Sequence, residues 1–181
     1  MQFDPFQYRL CRNIRNELSE SLMEAIKQKD LAPSSAVVKK YDPKGTEHCI
    51  SSYLHARIRR YSNIIKEIQS SNIPSDDTYV ITLLLWNQEL FFEVHEWLEP
   101  RWLKATGTEK NILQALIRAA GTYILLEYDR TAGAEKMAAK AAATLFEHKE
   151  SIPPLFDIEL LISRLQALDP VAPKFKTAGL I

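Results

Sequence analysis

One histidine and three glutamates lie among four aromatic side chains in the segment FFEVHEWLEPRW, residues 91–102. Imidazole and carboxylate groups bind divalent metals and transfer protons, so this segment is where the chain could carry chemistry. Successive residues of a helix are about 100° apart, which puts His95 and Glu99 one turn apart on the same side. Adjacent residues do not face each other, so we predict that His95 and Glu96 do not act on one ligand. Glu96 is predicted to lie on a separate acidic side with Glu89 and Glu93.

Three interpretations of this segment remain open. In the first, His95 and Glu99 supply two ligands to a divalent metal ion, although the spacing provides no third ligand; no other cofactor is predicted. In the second, Glu99 orients the imidazole of His95, which acts as the general acid or base of a hydrolase-like enzyme. In the third, His95 is a boundary residue whose nitrogens are satisfied by Glu99 and a neighbouring group. We favour the third, because structural ion pairs imitate functional sites.

The elements that must position these side chains are helices. The chain has only five glycines and almost no alternation of β-branched residues, whereas apolar residues recur every three or four positions. We predict an all-α fold, with a bundle of about five helices in residues 75–181 and a two-helix N-terminal extension in residues 1–74. The predicted helices cover residues 6–29, 47–70, 77–86, 89–104, 109–128, 134–148 and 157–168. Residues 31–35 and 41–45 are predicted as a break and a turn.

The helix at residues 89–104 carries the segment, and its spacing predicts which side faces the core. Phe92 is predicted to lie away from that side. Pro100 cannot donate the helical hydrogen bond to the carbonyl of Glu96, so it is expected either to kink this helix or to begin a new segment. The predicted core face consists of Leu90, Phe91, Val94, Leu98 and Trp102.

The composition is that of a soluble globular protein, which we predict to be cytoplasmic. Hydrophobic residues make up 46% of the chain and charged residues 25%, and the formal net charge is zero. The longest apolar run, ending at Trp86, is far shorter than the eighteen or more residues of a membrane span, so no membrane association is predicted. The two cysteines, Cys11 and Cys49, form no CxxC pair and are predicted to be buried thiols.

A basic stretch in residues 55–66 raises the question of nucleic-acid contact. Its candidates for contacting phosphates are Arg57, Arg59, Arg60 and Lys66. The cluster is short and the net charge of residues 1–70 is modest, so a solvated helix face is favoured and nucleic acid is an unlikely partner.

Two further groups of residues carry a resemblance to a known family. Residues 92–96 (FEVHE) are followed by Glu99 and Trp102, and residues 113–117 (LQALI) place Gln114 on the next helix. In this pattern, residues 77–168 resemble the small all-helical bacterial and archaeal family called domain of unknown function 309. The resemblance implies a compact helical bundle and a motif formed by Phe92, His95, Glu96, Glu99, Trp102 and Gln114, but no established activity. The chain departs from the family pattern at Gln88-Glu89, at Ala115, and near Ile124, where many members have a further histidine.

The sequence therefore predicts a non-catalytic binding or assembly module, with a protein partner or self-association. The alternative is a hydrolase-like enzyme that uses His95 and Glu99, with or without a divalent metal, and the third hypothesis is nucleic-acid contact through residues 55–66. The first two differ in what they require of the motif. An enzyme requires His95 and Glu99 to line an open site, whereas a structural role requires them to be buried and satisfied.

Overall fold

The structure, a computed structural model that describes residues 2–176, divides the chain into two compact units, Met1–Asp77 and Thr78–Ile181. The elements of the described residues are helices, with no strand among them, which confirms the predicted all-α fold. The first unit contains α1 (Arg9–Gln28), α2 (Ala32–Tyr41) and α3 (His48–Ser70). None of the helices in the described part of the chain is both long and apolar enough to cross a membrane.

The helix α2 was not predicted, since its sequence contains the signals of a break. Pro33 lies in the first turn of α2, where a missing N–H costs no helical hydrogen bond. The Asp30 carboxylate accepts a hydrogen bond from the Ala32 N–H at 2.9 Å and so closes the start of the helix. At the other end, Lys40 and Tyr41 both donate to the Glu17 carboxylate of α1, and these bonds lower the pKa of Glu17. The unit therefore has one helix more than predicted.

The first unit buries one continuous face of α1 and one of α3. On α1, Cys11 is fully buried, and its burial raises the pKa of the thiol. Cys49 at the start of α3 is only half-buried, so the prediction of two buried thiols is wrong for this residue. Apolar residues recur every three or four positions along α3, and all of them are buried except Ile58, which is half-buried: Ile50, Leu54, Tyr61, Ile65 and Ile68.

The second unit contains α4 (Thr78–Asn87), α5 (Phe91–Lys104), α6 (Gly107–Glu127), α7 (Thr131–Glu147), a short 3-10 helix (Lys149–Ser151) and α8 (Ile158–Gln166). In this unit α6 packs against both α5 and α7, α4 packs against α5, and α7 packs against α8. Small residues allow α6 and α7 to come close, because a methyl group on Gly121 would lie 2.7 Å from the sulfur of Met137. The buried alanines on these two helices include Ala115, Ala119, Ala138, Ala141 and Ala142.

The chain after α8 returns to the end of α4. The indole N–H of Trp86 donates to the Pro173 carbonyl at 2.9 Å. The Asn87 side-chain amide both donates to the Phe175 carbonyl at 2.8 Å and accepts from the Phe175 N–H at 2.9 Å. The Phe175 ring is buried against Trp86 and Phe156, with ring centres 5.7 and 5.3 Å away. These contacts hold the C-terminal segment against the last residues of α4, just before the motif begins.

Candidate functional site

Helix α5 runs through Pro100 without interruption, and it buries more of its surface than predicted. Phe91, Val94 and Leu98 are buried, in agreement with the predicted core face. Trp97 is also buried, whereas Trp102, which was predicted to face the core, is half-buried. The reason is that α5 packs against α4 as well as α6, so two adjoining sides of the helix are covered.

The side of α5 that faces α4 is fixed by Trp97 and Arg101. The Trp97 indole N–H donates to the Thr78 carbonyl at 3.0 Å, and the guanidinium of Arg101 lies 3.4 Å from the centre of the Trp97 ring. Arg101 also donates to the Thr78 hydroxyl at 3.0 Å and to the Trp97 carbonyl at 2.6 Å. A stacked guanidinium with these bonds holds the last turns of α5 in place.

The opposite side of α5 brings together His95, Glu96 and Glu99. One nitrogen or oxygen atom from each of the three lies within 4.8 Å of the others. His95 Nδ1 is 3.2 Å from a carboxylate oxygen of Glu96, so these two side chains do face each other, contrary to the argument from helix spacing. Helix geometry fixes the direction of Cβ only, and the long glutamate side chain turns its carboxylate back over the imidazole. We call these three residues the triad.

The predicted acidic side of α5 does not exist. Glu93 is fully buried, although it was predicted to share a surface with Glu96. Glu89 precedes α5 and forms an ion pair with Lys174 at 2.7 Å. Because Glu96 faces His95, the three carboxylates lie in three different environments.

The triad is partly exposed and incompletely bonded. The side chains of His95 and Glu96 are 33% and 34% exposed, and Glu99 is half-buried. Among the described residues, none hydrogen-bonds or pairs with the Glu99 carboxylate or with His95 Nε2. The structural interpretation required a histidine satisfied by Glu99, whereas His95 bonds to Glu96. The ring of Phe92 lies parallel to the imidazole, with centres 6.5 Å apart, and forms one edge of the site.

The remaining motif residues do not join the triad. Trp102 has a buried indole N–H that no described residue accepts, and Lys110 lies 5.5 Å from the centre of its ring. Gln114 is half-buried on α6 and has no hydrogen-bond partner within residues 2–176.

The basic residues of α3 do not form one exposed surface. Arg57 is only 6% exposed and lies over the ring of Tyr53, with its guanidinium 5.2 Å from the ring centre. Arg60 is half-buried, and Arg59 and Lys66 are exposed. Burial excludes Arg57 as a contact for phosphate. On the helical wheel Arg57 lies beside the apolar residues of α3, and the buried face of this helix is wide enough to include it.

The part of the chain that contains the triad matches a known protein family. Residues 82–137 match the model of one family, described as a domain of unknown function (DUF309). These residues are therefore similar to DUF309 domains. This match confirms the predicted resemblance over α5 and α6, and the N-terminal residues lie outside it. No curated protein and no solved structure matches the chain.

A groove that was not predicted lies largely beyond the matched DUF309 residues. It has a volume of about 510 Å³ and runs between α7 and α8. We call it the α7–α8 groove. The sequence of α7 is rich in alanine, but only the position of α8 shows which of these alanines line the groove. Its lining consists of Glu135, Ala138, Ala139, Ala142, Ala143, Phe146, Leu165, Gln166 and Leu168.

Proposed function

We propose that the DUF309 segment is a binding module whose ligand is a divalent metal ion held by His95, Glu96 and Glu99. The observation that supports this most is that three ligand atoms, one from each residue, lie within 4.8 Å of one another. The Glu99 carboxylate and His95 Nε2 bond to no described residue. An ion can therefore take the Glu99 carboxylate without breaking a bond within the protein, and binding to His95 and Glu96 together would replace the hydrogen bond between them.

The separations within the triad fit a metal ion after small side-chain rotations. Metal–ligand bonds of about 2.1 Å place the ligands of a tetrahedral zinc ion about 3.4 Å apart. The ligand atoms of the triad all lie within 4.8 Å of one another, so their separations exceed this distance by no more than about 1.4 Å, which rotation of a glutamate side chain can close. One nitrogen and two oxygen ligands suit zinc, manganese or iron(II), whereas calcium and magnesium favour sites made of oxygen alone.

A hydrolase-like activity is the second candidate, and it is supported by the partial exposure of the same residues. Three protein ligands leave at least one position of the ion to solvent, and such open positions are typical of catalytic rather than structural metal sites. The ion would lower the pKa of a bound water and so supply a nucleophile. The predicted protein partner and the cytoplasmic location stay predictions, and the burial of Arg57 weakens the case for nucleic acid.

The proposal is tested by metal binding to the full chain without a histidine tag. We expect calorimetric titration with Zn²⁺ and with Mn²⁺ to give one site per chain. Loss of a residue that hydrogen-bonds to a metal ligand weakens metal binding roughly 10- to 100-fold. Glu99→Gln changes a ligand itself, so it should weaken binding by more than this. Glu150→Gln, a change to an exposed carboxylate elsewhere in the same unit, is the matched control and should bind as the wild type does. Absence of uptake of either ion by the wild type would refute the proposal.

A stability measurement separates this proposal from a structural role of His95. His95 is one-third exposed, so His95→Gln should change the free energy of unfolding of the metal-free protein by less than about 1 kcal/mol. Added Zn²⁺ at about 100 times its Kd should stabilise the wild type by about 2.7 kcal/mol, and the variant by much less. A large loss of stability in metal-free His95→Gln would instead support the structural interpretation.

A further inference from the structure

Helix α7 presents an apolar strip along the α7–α8 groove. Phe146 is 62% exposed, and Ala139 and Ala143 are exposed on the same side of the helix. From Glu135 to Phe146 the strip is about 16 Å long, or three helical turns. The polar neighbour of the Phe146 ring is Lys149, whose Nζ lies 5.4 Å from the ring centre. A large aromatic ring at one end of a strip of alanines is suited to contact with another helix.

We infer that the occupant of this groove is α7 of a second copy of the chain, packed antiparallel about a two-fold axis. Two of the charges beside the strip, Lys136 and Glu147, carry this inference, and Lys140 is also exposed on this edge. Lys136 and Glu147 are both exposed and lie on the same edge of α7, about 20° apart around the helix and three turns apart along it. Glu147 is 74% exposed and, among the described residues, pairs only with His148, at 4.0 Å, whereas Lys136 pairs with none of them.

A two-fold axis perpendicular to the two α7 helices places each edge of one α7 against the same edge of the other, with the two chains running in opposite directions. Lys136 of one copy then lies opposite Glu147 of the other, and the contact occurs twice. The midpoint between Lys136 and Glu147 falls between Ala139 and Ala143, so the smallest side chains lie where the two backbones come closest. Phe146 of each copy enters the groove of the other, whose lining includes Leu165.

The test measures the mass of the full chain in solution by sedimentation over a wide range of concentrations. We expect a reversible monomer–dimer equilibrium in the wild type. Lys136→Glu should weaken the dimer roughly twofold to thirtyfold, because two exposed ion pairs are lost, and Glu147→Lys should do the same. The double variant, Lys136→Glu with Glu147→Lys, should restore wild-type dimerisation. Ala143→Arg should abolish it, because the long side chain prevents close approach.

Leu103→Ser is the matched control, since Leu103 is 64% exposed on α5, away from the groove. It should dimerise as the wild type does, and circular dichroism of each variant checks folding. If the chain stays monomeric at every concentration, the inference is wrong, and a helix of a different protein remains as the candidate occupant of the groove. The inference is also wrong if Ala143→Arg still dimerises as the wild type does, or if the double variant dimerises no more tightly than the single variants. The charge-reversal series decides the question even if Ala143→Arg does not fold.

Discussion

Replacing Tyr123 by phenylalanine tests how the core beneath the DUF309 motif is built. Tyr123 of α6 is only 3% exposed, and its ring stacks on Phe91 at 5.0 Å and meets the edge of Trp86 at 5.5 Å. Its hydroxyl is buried, and no described residue accepts or donates a hydrogen bond to it. A buried polar group without a partner costs about 1–3 kcal/mol. Tyr123→Phe keeps the ring, so we expect it to raise the free energy of unfolding by about 1 kcal/mol at neutral pH.

The same variant should differ more from the wild type at alkaline pH. Burial, with a smaller contribution from the charge of Asp169, raises the pKa of Tyr123 to about 12, from an ordinary value of 10.0. The folded protein therefore holds this proton more tightly than the unfolded chain does. The resulting stability is complete below about pH 10 and is lost as the pH rises towards 12. At about pH 11 the wild type should have lost roughly 1.4 kcal/mol relative to Tyr123→Phe.

The assay is urea unfolding of both proteins, followed by circular dichroism, from about pH 7 to about pH 11. Comparison with the variant cancels the other tyrosines, of which Tyr41 and Tyr79 also have raised pKa values. A variant less stable than the wild type at neutral pH would refute the reasoning, because the hydroxyl would then have a partner. A difference between the two proteins that does not grow above about pH 10 would refute the assignment of the raised pKa.

Two further substitutions test the packing of the second unit by the same unfolding assay. Phe175→Ala should cost about 3–5 kcal/mol, because the ring is buried against Trp86 and Phe156; a loss below about 1 kcal/mol would mean that the C-terminal segment contributes little to the fold. Gly121→Ala should change stability by less than about 1 kcal/mol, since the gain in helix propensity offsets displacement of the flexible, partly exposed Met137 side chain. A loss of several kcal/mol in this variant would mean that the close approach of α6 and α7 leaves no room for a methyl group.

The sequence was sufficient to predict the helices that bury a strong apolar stripe. All seven predicted helices are present, and the all-α fold follows from their spacing. The missed helix, α2, buries only Ser34 and Val37, so it has no stripe to detect. Pro33 and the two serines favoured a break, although a proline in a first turn is compatible with a helix. Its bonds to Glu17 are contacts with α1, which local sequence does not specify.

The candidate site was predicted in position but not in arrangement. A helical wheel gives the direction of each Cβ, and that was enough to place His95 and Glu99 on one side. It could not predict that Glu96 turns towards His95, since this depends on side-chain rotation. It also could not predict that Glu93 is buried, because the second covered side of α5 arises from packing rather than from an apolar pattern.

These two features divide α5 into sides with different physical roles. Trp97 and Arg101 both hydrogen-bond to Thr78 and so fix α5 from one side, with the guanidinium of Arg101 stacked on the Trp97 ring. The triad residues His95 and Glu99 lie on the other side, partly exposed, and contribute no bond that ties α5 to another helix of the described chain. A side chain that neither packs nor bonds across helices has little to lose for stability when it is changed. Substitutions in the triad should therefore report on ligand binding, whereas substitutions at Trp97 should report on folding.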